Sequence, residues 1–199
     1  MCGRYYIAED DIDEMLATYV AEALARAEHM DVPMRLSGEI RPTDIAPVIA
    51  TSASRRTVAA YPMRWGFRHP TRGMLVFNTR SETAAEKPLF CTSISDRRCL
   101  IPASGYYEWQ KADGKKTKFS FFSDDHEPLY LAGLYLRSSH DKLPFFTILT
   151  RDAATELKDI HARMPVILPK DRMMDWLSLE KDYMEFLSDT MQNLHFEAC

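Results

Sequence analysis

The sequence lacks several features that would tie it to a particular environment. It has no run of about 18 apolar residues, so no membrane span is expected. The start of the chain lacks the basic and then apolar pattern of a secretory signal, so we expect a cytoplasmic protein with no membrane partner. It also has no internal repeat, low-complexity segment or obvious linker, which favours a single compact domain over all 199 residues.

The cysteines form no C-x-x-C pair. They are widely spaced in the sequence, as Cys2, Cys91, Cys99 and Cys199. In a reducing compartment such cysteines are expected to be free thiols, not disulfides or zinc ligands. The spacing therefore predicts no metal site, and no other pattern predicts a cofactor.

Acidic residues are missing from one long stretch of a chain whose net charge is −4. Residues 45–81 contain arginines with interleaved aromatic residues, namely Arg55, Arg56, Arg64, Arg68, Arg72 and Arg80 with Tyr61, Trp65, Phe67 and Phe77. Because arginine binds phosphates and aromatic faces stack on bases, this stretch is a candidate surface for single-stranded nucleic acid. The alternative, which the stretch by itself favours, is buried aromatics beside ordinary solvated arginines.

The hydrophobic pattern predicts short strands with a few peripheral helices. Helices are predicted over residues 10–29, 152–160, 171–177 and 183–187. Strands are predicted over residues 3–7, 46–50, 57–64, 99–101, 106–110, 118–122, 129–135 and 144–149, with a hairpin turn at 112–114. Since no βαβ rhythm is present, we expect one α+β domain with a curved, barrel-like antiparallel sheet and peripheral helices. The tail, residues 189–199, is expected to be flexible.

Cys2 is the first candidate catalytic residue. Loss of Met1, by an aminopeptidase or by the protein itself, would leave an amine and a thiol on adjacent carbons. Such a 1,2-aminothiol condenses with an aldehyde to an imine, and the thiol then closes a thiazolidine ring. An α-amino group with a pKa of about 7.7–8.0 is roughly one-third neutral near pH 7.5, against about 0.1% for a lysine. The alternative is that a cysteine occupies this position by chance.

Three other segments carry candidate catalytic residues. Asn78 could orient an amine and Arg80 could bind a phosphate, and a strand would point both the same way. Glu108 lies between aromatic residues, so burial is expected to raise its pKa and suit it to proton transfer. His161 is expected at a helix end, where the dipole favours its charged form, and Arg163 follows closely. The ordinary alternatives are a strand-end turn, an outward-facing or Arg-paired carboxylate, and a capping histidine.

Six segments occur in one order over residues 1–168. They are Met1-Cys2-Gly3-Arg4-Tyr5, Ile45-Ala46-Pro47, Trp65-Gly66-Phe67, Asn78-Thr79-Arg80-Ser81-Glu82-Thr83, residues 97–109, and His161-Ala162-Arg163-Met164-Pro165. Together they resemble the SOS-response-associated peptidase (SRAP) family, whose members crosslink to abasic sites. The sequence departs from the family at Asp44, where Asn is usual, at Thr79, where Ala is commoner, and at residues 68–70, which lack a second tryptophan.

The resemblance implies DNA repair at abasic sites in single-stranded DNA. It implies that Cys2 is the crosslinking residue and that Asn78, Glu108 and His161 complete the catalytic site. DNA is expected to contact further side chains, namely Arg4, Arg80, Arg163, Trp65, Phe67 and Arg68. We also expect a cytoplasmic monomer that joins the nucleoid after damage, with cysteine-peptidase activity on Met1 and a lyase-type activity.

Other functions stay open from the residues alone. An amino-terminal-nucleophile hydrolase would attack an amide with Cys2, use its amine as the base and stabilise the oxyanion with Asn78. A noncovalent nucleic-acid-binding module would use the arginines of residues 45–81 and would bind in a salt-sensitive way. A purely structural protein would leave the six matching segments unexplained.

Overall fold

The computed structural model describes residues 2–8, 13–52, 54, 57–112, 114–123, 125–188 and 194–199. The strands are β1 (Arg4–Ile7), β2 (Gly38–Ile40), β3 (Ile45–Thr51), β4 (Val58–Trp65), β5 (Phe67–Arg68), β6 (Leu75–Val76), β7 (Asn78–Arg80), β8 (Arg98–Ala103), β9 (Gly105–Ala112), β10 (Lys115–Phe122), β11 (Leu129–Leu136), β12 (Phe145–Asp152), β13 (Arg163–Pro165), β14 (Ile167–Leu168) and β15 (His195–Ala198). The α-helices are α1 (Glu14–His29), α2 (Cys91–Asp96), α3 (Met173–Ser178) and α4 (Tyr183–Ser188), and 3-10 helices cover Ser81–Thr83, Thr155–Leu157 and Lys170–Arg172.

Most of the strands belong to two sheets. One sheet has five strands in the order β15-β10-β9-β1-β2. In the other, β12, β4, β3, β8 and β11 follow one another, and β11 pairs again with β12, so this sheet curls round onto its own strand. Curling in this way leaves few strand edges open to other chains. The α+β class and the barrel-like curved sheet predicted from the sequence are confirmed.

Two apolar cores hold the layers together. The first lies between the sheets and includes the fully buried rings of Tyr5, Trp65 and Phe146. The second lies between the curled sheet and the helices, where Trp176 of α3 and Phe186 of α4 are fully buried. Helices α1, α2 and α3 all pack against strands of the curled sheet.

Helix α1 corresponds to the longest predicted helix. It begins at Glu14, because the carboxylate of Asp13 accepts a hydrogen bond from the Leu16 amide at 2.7 Å and caps the first turn. It ends at His29, as predicted, and buries Ala23 against the curled sheet. Residues 10–12 of the prediction lie outside the described residues.

Two sequence-based predictions about the curled sheet are wrong. Residues 152–160 do not form an α-helix, because Asp152 still belongs to β12 and only Thr155–Leu157 make a 3-10 turn. A hydrogen bond of 3.0 Å from the Ala153 amide to the Ala162 carbonyl closes this segment into a loop. The sheet is also not purely antiparallel, since β12 runs parallel to both β4 and β7.

The end of the chain takes part in the five-stranded sheet. Strand β15 pairs antiparallel with β10 and brings Phe196 against Phe121 at a ring distance of 5.7 Å. Residues 189–193 of the predicted flexible tail lie outside the described residues. Among the described helices, none is long and apolar enough to cross a membrane.

Strands β1 and β10 approach β9 closely at Gly105, so a larger residue there should destabilise the fold. A Cβ on Gly105 would overlap the carbonyl oxygen of Phe121 and lie 2.5 Å from the hydroxyl oxygen of Tyr6. Gly105→Ala should therefore lower the free energy of unfolding by about 1–3 kcal/mol in chemical denaturation. The control Thr117→Ala, at an exposed position of β10, should change it by less than about 0.5 kcal/mol. Equal stability of Gly105→Ala and the parent protein would contradict this close packing.

Candidate catalytic site

Four elements bring the predicted catalytic residues together. Cys2 precedes β1, Asn78 begins β7, Glu108 lies in the middle of β9, and His161 precedes β13. Direct contacts join Asn78 to Cys2 and Glu108 to His161, and the charge of Glu108 acts on the Cys2 thiol. Residues that are far apart in the sequence therefore form one cluster.

Asn78 holds the backbone of Cys2. Its Nδ2 donates a hydrogen bond of 2.7 Å to the Cys2 carbonyl oxygen. Strand β7 is fixed beneath it by parallel pairing with β12, where Asn78 lies opposite Ile148. The next residue, Thr79, is buried, and its hydroxyl lies 2.9 Å from that of Thr147. A threonine is thus accommodated here by a hydrogen-bond partner on β12.

Glu108 points into the protein. Its residue is 3% exposed, and it shares the inner side of β9 with Tyr106, whereas Tyr107 and Trp109 face outward. The outward-facing alternative for this carboxylate is therefore wrong. An ionisable group buried in this way is costly unless other groups stabilise it, which is characteristic of functional sites.

His161 faces the Glu108 carboxylate. Its Nδ1 lies 3.8 Å from Oε1 of Glu108 and 3.0 Å from the amide nitrogen of Arg163. The Arg163 carbonyl oxygen lies 3.1 Å from the same nitrogen. A ring protonated at Nε2 therefore accepts from the amide at Nδ1, whereas a ring protonated at Nδ1 donates to the carbonyl. The side-chain amide of Gln110 donates to the Asp159 carbonyl at 3.0 Å and ties β9 to the segment that carries His161. Because a loop and not an α-helix precedes His161, the predicted helix-dipole effect does not apply.

The Cys2 side chain is completely buried in the core between the sheets. Burial, and then the nearby Glu108 carboxylate, raise the pKa of its thiol well above the ordinary value. The thiol donates a weak hydrogen bond to the carbonyl oxygen of Arg4, which lies 3.6 Å from the sulfur. The resting state of this residue is therefore a neutral thiol.

Arg163 is enclosed by acceptors. Its guanidinium makes two hydrogen bonds to the Glu82 carboxylate, at 2.7 and 2.9 Å, and one of 2.6 Å to Asp152. It also donates to the Thr150 carbonyl at 2.6 Å, and its side chain is 12% exposed. In this state the guanidinium anchors β13, and with it the amide that binds His161, instead of facing solvent. Sequence reasoning missed Glu82 because no local pattern reports a contact with a residue so distant in the chain.

The other two predicted phosphate-binding arginines differ in their surroundings. Arg4 donates to Glu39 at 2.9 Å, and its guanidinium lies 5.1 Å from the centre of the Trp109 ring. Arg80 is exposed and is the last residue of β7, the strand that begins at Asn78. Both side chains are therefore partly or fully open to solvent near the cluster.

Trp65 is a core residue, and the prediction that it contacts DNA is wrong. Its ring is 0% exposed, is stacked on Phe146 with centroids 6.0 Å apart, and donates from Nε1 to the Phe77 carbonyl at 2.8 Å. Phe67 and Arg68 follow on β5, where they line a groove of about 600 Å³ with other residues, including Arg64 and Arg137. Part of the predicted arginine and aromatic stretch is thus surface, and part of it is core.

The cysteines are free thiols, as predicted. Within the residues that the structure describes, no group of three or more His, Cys, Asp or Glu side chains is placed to hold a metal ion.

A family model described as SOS response associated peptidase (SRAP) matches residues 1–198. The chain belongs to the SRAP family. This SRAP chain is 32% identical over 201 residues to abasic site processing protein YoaM of Bacillus subtilis, covering 94% of this chain and 85% of that protein. It is 28% identical over 191 residues to abasic site processing protein YedK of Escherichia coli, covering 90% and 81%.

Solved structures resemble the SRAP chain along its whole length. A crystal structure of a Bacteroides thetaiotaomicron protein superimposes with a TM-score of 0.78 at 21% identity, covering 99% of this chain and 91% of that one. A phage-related protein of Bordetella bronchiseptica gives a TM-score of 0.75 at 20% identity, covering 100% and 94%. At these sequence identities, the similarity to the solved structures establishes the fold alone.

Burial of the Cys2 thiol predicts the order in which the SRAP cysteines react. Exposed Cys199 and half-buried Cys91 should be alkylated first at about pH 8, because the reagent can reach their sulfur atoms from solvent. Buried Cys2 and Cys99 should react only after unfolding, because a raised pKa keeps each thiol protonated until the pH is far higher. Peptide mass mapping after timed alkylation measures the order. Early labelling of Cys2 in the full-length folded chain would contradict its burial.

Proposed function

We propose that this protein captures abasic sites in single-stranded DNA by a covalent bond to Cys2, once Met1 has been removed. The observation that carries the proposal is the cluster in which Asn78 binds the carbonyl of buried Cys2 and buried Glu108 lies near both Cys2 and His161. The relatives named abasic site processing proteins support this substrate class.

The reaction begins at the α-amine of Cys2. An abasic deoxyribose is in equilibrium with a ring-opened aldehyde, and the amine adds to the aldehyde carbon. Loss of one water gives an imine. The thiol sulfur then bonds to the imine carbon, and its proton goes to the nitrogen, which closes a thiazolidine. Because the imine is consumed, β-elimination is suppressed and the strand is shielded without being cut. Elimination from the imine before closure is the lyase-type side reaction.

Each neighbouring residue has a separate role in this scheme. Glu108 accepts a proton from the amine and relays it during ring opening and imine formation. His161 polarises the sugar oxygen by donating a hydrogen bond from Nε2–H, in the form of the ring whose Nδ1 accepts from the Arg163 amide. Asn78 fixes the direction of the amine by holding the Cys2 carbonyl.

Phosphates beside the lesion are bound by Arg80, which is exposed two residues after Asn78, and by the solvent-facing part of Arg4. Arg163 binds a phosphate only if it leaves Glu82, and otherwise holds His161 in place. Phe67 and Arg68 provide further contacts along the groove that they line. The protein acts as a monomer in the cytoplasm, at the nucleoid after damage.

Removal of Met1 by the protein itself uses the same thiol as a cysteine-type peptidase step. A general amino-terminal-nucleophile hydrolase would use these residues too, but it would turn over a small amide without DNA. A noncovalent binding module would retain its DNA after Cys2 is replaced. These two alternatives therefore differ from the crosslinker in measurable products.

Intact mass spectrometry tests the covalent step. After incubation with an oligonucleotide that carries one abasic site, the protein without Met1 should gain the mass of the strand less one water. Cys2→Ala should abolish this adduct, whereas Cys199→Ala, which removes an exposed thiol, should leave its yield unchanged. A normal adduct with Cys2→Ala would refute the proposal. No adduct despite a free Cys2, together with turnover of a small amide, would establish the hydrolase instead.

Replacement of Glu108 tests proton transfer. Glu108→Gln keeps the shape of the side chain but removes its basic oxygen, so adduct formation or its reversal should slow by on the order of 10²–10⁴. Time courses of adduct mass in both directions provide the rates. The control Glu156→Gln, at an exposed residue of the preceding 3-10 turn, should not change either rate. Unchanged kinetics with Glu108→Gln would remove this carboxylate from the mechanism.

A further inference from the structure

The outer face of the five-stranded sheet is accessible in the described part of the chain. Its inner face packs into the core between the sheets through residues such as Tyr5 and Phe121. Helices α1, α2 and α3 all contact the curled sheet. On the outer face, Tyr6, Tyr107 and Trp109 are only half-buried, although they lie near the centre of a sheet. These rings are therefore partly accessible to solvent.

Cationic side chains cluster on this outer face. We define the basic face as Arg4, Arg41, Lys111, Lys116 and Lys118. They lie on or directly beside β1, β2, β9 and β10, and Lys111 is opposite Lys116 in the β9–β10 register. Among the described residues, the acids on this face are Glu39 of β2 and Glu197 of β15. Positive charge therefore exceeds negative charge on this face of a protein whose net charge is −4.

Glu39 holds three of these cations in place. Glu39 binds Arg4 at 2.9 Å, Arg41 at 2.8 Å and Lys118 at 3.1 Å. Because three cations surround one carboxylate, a net positive charge remains that favours a bound anion. Ordering these long side chains in advance also lowers the entropy cost of binding a phosphate.

Aromatic rings of this face lie beside Arg4, Lys116 and Lys118. The guanidinium of Arg4 and the ammonium of Lys116 lie 5.1 and 4.9 Å from the centre of the Trp109 ring. The ammonium of Lys118 lies 3.5 Å from the centre of the Tyr107 ring. Because cations cover these rings, the face presents charges more readily than stacking surfaces for bases. A ligand recognised here carries repeated negative charge rather than a particular base sequence.

The basic face meets the proposed catalytic site at the start of β1. Arg4 of this face follows Cys2 by two residues, and its guanidinium lies 5.1 Å from the centre of the Trp109 ring. Glu108 faces the core, on the other side of β9 from Trp109. From Tyr107, opposite Arg4, to Lys111 the strand advances by about 13 Å, which is the length of several nucleotides. A strand whose lesion is at Cys2 can thus continue across Arg4 and Trp109 towards the β9–β10 hairpin.

We infer that the basic face binds the phosphate backbone of the single DNA strand that leaves the lesion. This inference rests on the proposed function, because the strand is positioned by the abasic site at Cys2. The contact is independent of sequence and is made chiefly by Lys111 and Lys116 at the far end of the face. It adds affinity for the strand without touching the reacting atoms.

Salt-dependent binding of an undamaged single-stranded oligonucleotide tests the inference without any crosslink. In the double variant Lys111→Gln/Lys116→Gln, the slope of log K against log salt should fall by about 1.4, or about 0.7 for each lost phosphate contact. Affinity near 0.1 M salt should fall on the order of tenfold. The control Lys170→Gln/Lys181→Gln removes the same charge beside α3 and α4, on the helical side, and should change neither value.

Several outcomes would overturn the inference. An equal loss in both double variants would mean that only net charge matters, and no loss in either would mean that the basic face does not bind DNA. Equally tight, lysine-dependent binding of a fully paired duplex would contradict the choice of a single strand.

Crosslinking by intact mass separates this inference from the proposed function. With an abasic strand too short to reach the hairpin, the Lys111→Gln/Lys116→Gln variant should match the parent. With a long strand at low protein concentration, it should react more slowly. If no variant and no parent protein forms an adduct, the proposed chemistry fails while the binding result stands. If both form adducts at equal rates on long strands, the basic face has no role in capture.

Discussion

The register of β1 on β9 is the constraint on which the site depends. Tyr5 lies opposite Tyr106, and Arg4 lies opposite Tyr107. This pairing buries Tyr5 and Tyr106 in the core, and it places Glu108 on the same inner side, near Cys2. A slip of one residue would turn every side chain of β9 to the opposite face, so that Glu108 would face solvent and Trp109 would enter the core. Because such a slip would expose buried apolar side chains to water, its cost in free energy keeps Glu108 in position.

The burial that positions Cys2 also lowers the reactivity of its thiol. A thiol with a raised pKa is a poor nucleophile, so the Cys2 side chain is unreactive towards general electrophiles in its resting state. In the proposed reaction the amine acts first, and the thiol is needed only once an imine carbon is held beside it. Neighbouring Glu108 can then relay the proton of the thiol to the nitrogen. Burial therefore favours the ordered sequence over direct attack by the thiol.

Local patterns in the sequence were sufficient for most of the fold. Helix α1 and strands such as β3, β4 and β11 were predicted within a few residues. The pattern of apolar residues within each segment was enough to indicate its type. Residues 152–160 have a helical composition, but β12 extends through Asp152 because β13 pairs with it there. The parallel pairing of β12 with β7 also depends on contacts between distant segments, and no local pattern reports it.

For the site, the sequence predicted which residues belong to it better than it predicted what each one touches. Asn78, Glu108 and His161 were proposed from their types and neighbours, and the fold brings them to Cys2. Trp65 was proposed for DNA because tryptophan stacks on bases, but the rings of Tyr5, Phe77 and Phe146 pack around it and bury it. The ion pair of Arg163 with Glu82 could not be foreseen either, because it joins strand β13 to the 3-10 helix that follows β7, and only the sheet brings these two segments together.

Strand β9 carries two kinds of function on its two faces. Its inner side presents Glu108 to Cys2, where low polarity and fixed geometry suit proton transfer. Its outer side presents Trp109 and Lys111, where solvent and positive charge suit a phosphate backbone. Because side chains alternate along a strand, substitutions on one face leave the other largely intact. The chemistry of capture and the affinity for the flanking strand can therefore vary independently on a single element of the fold.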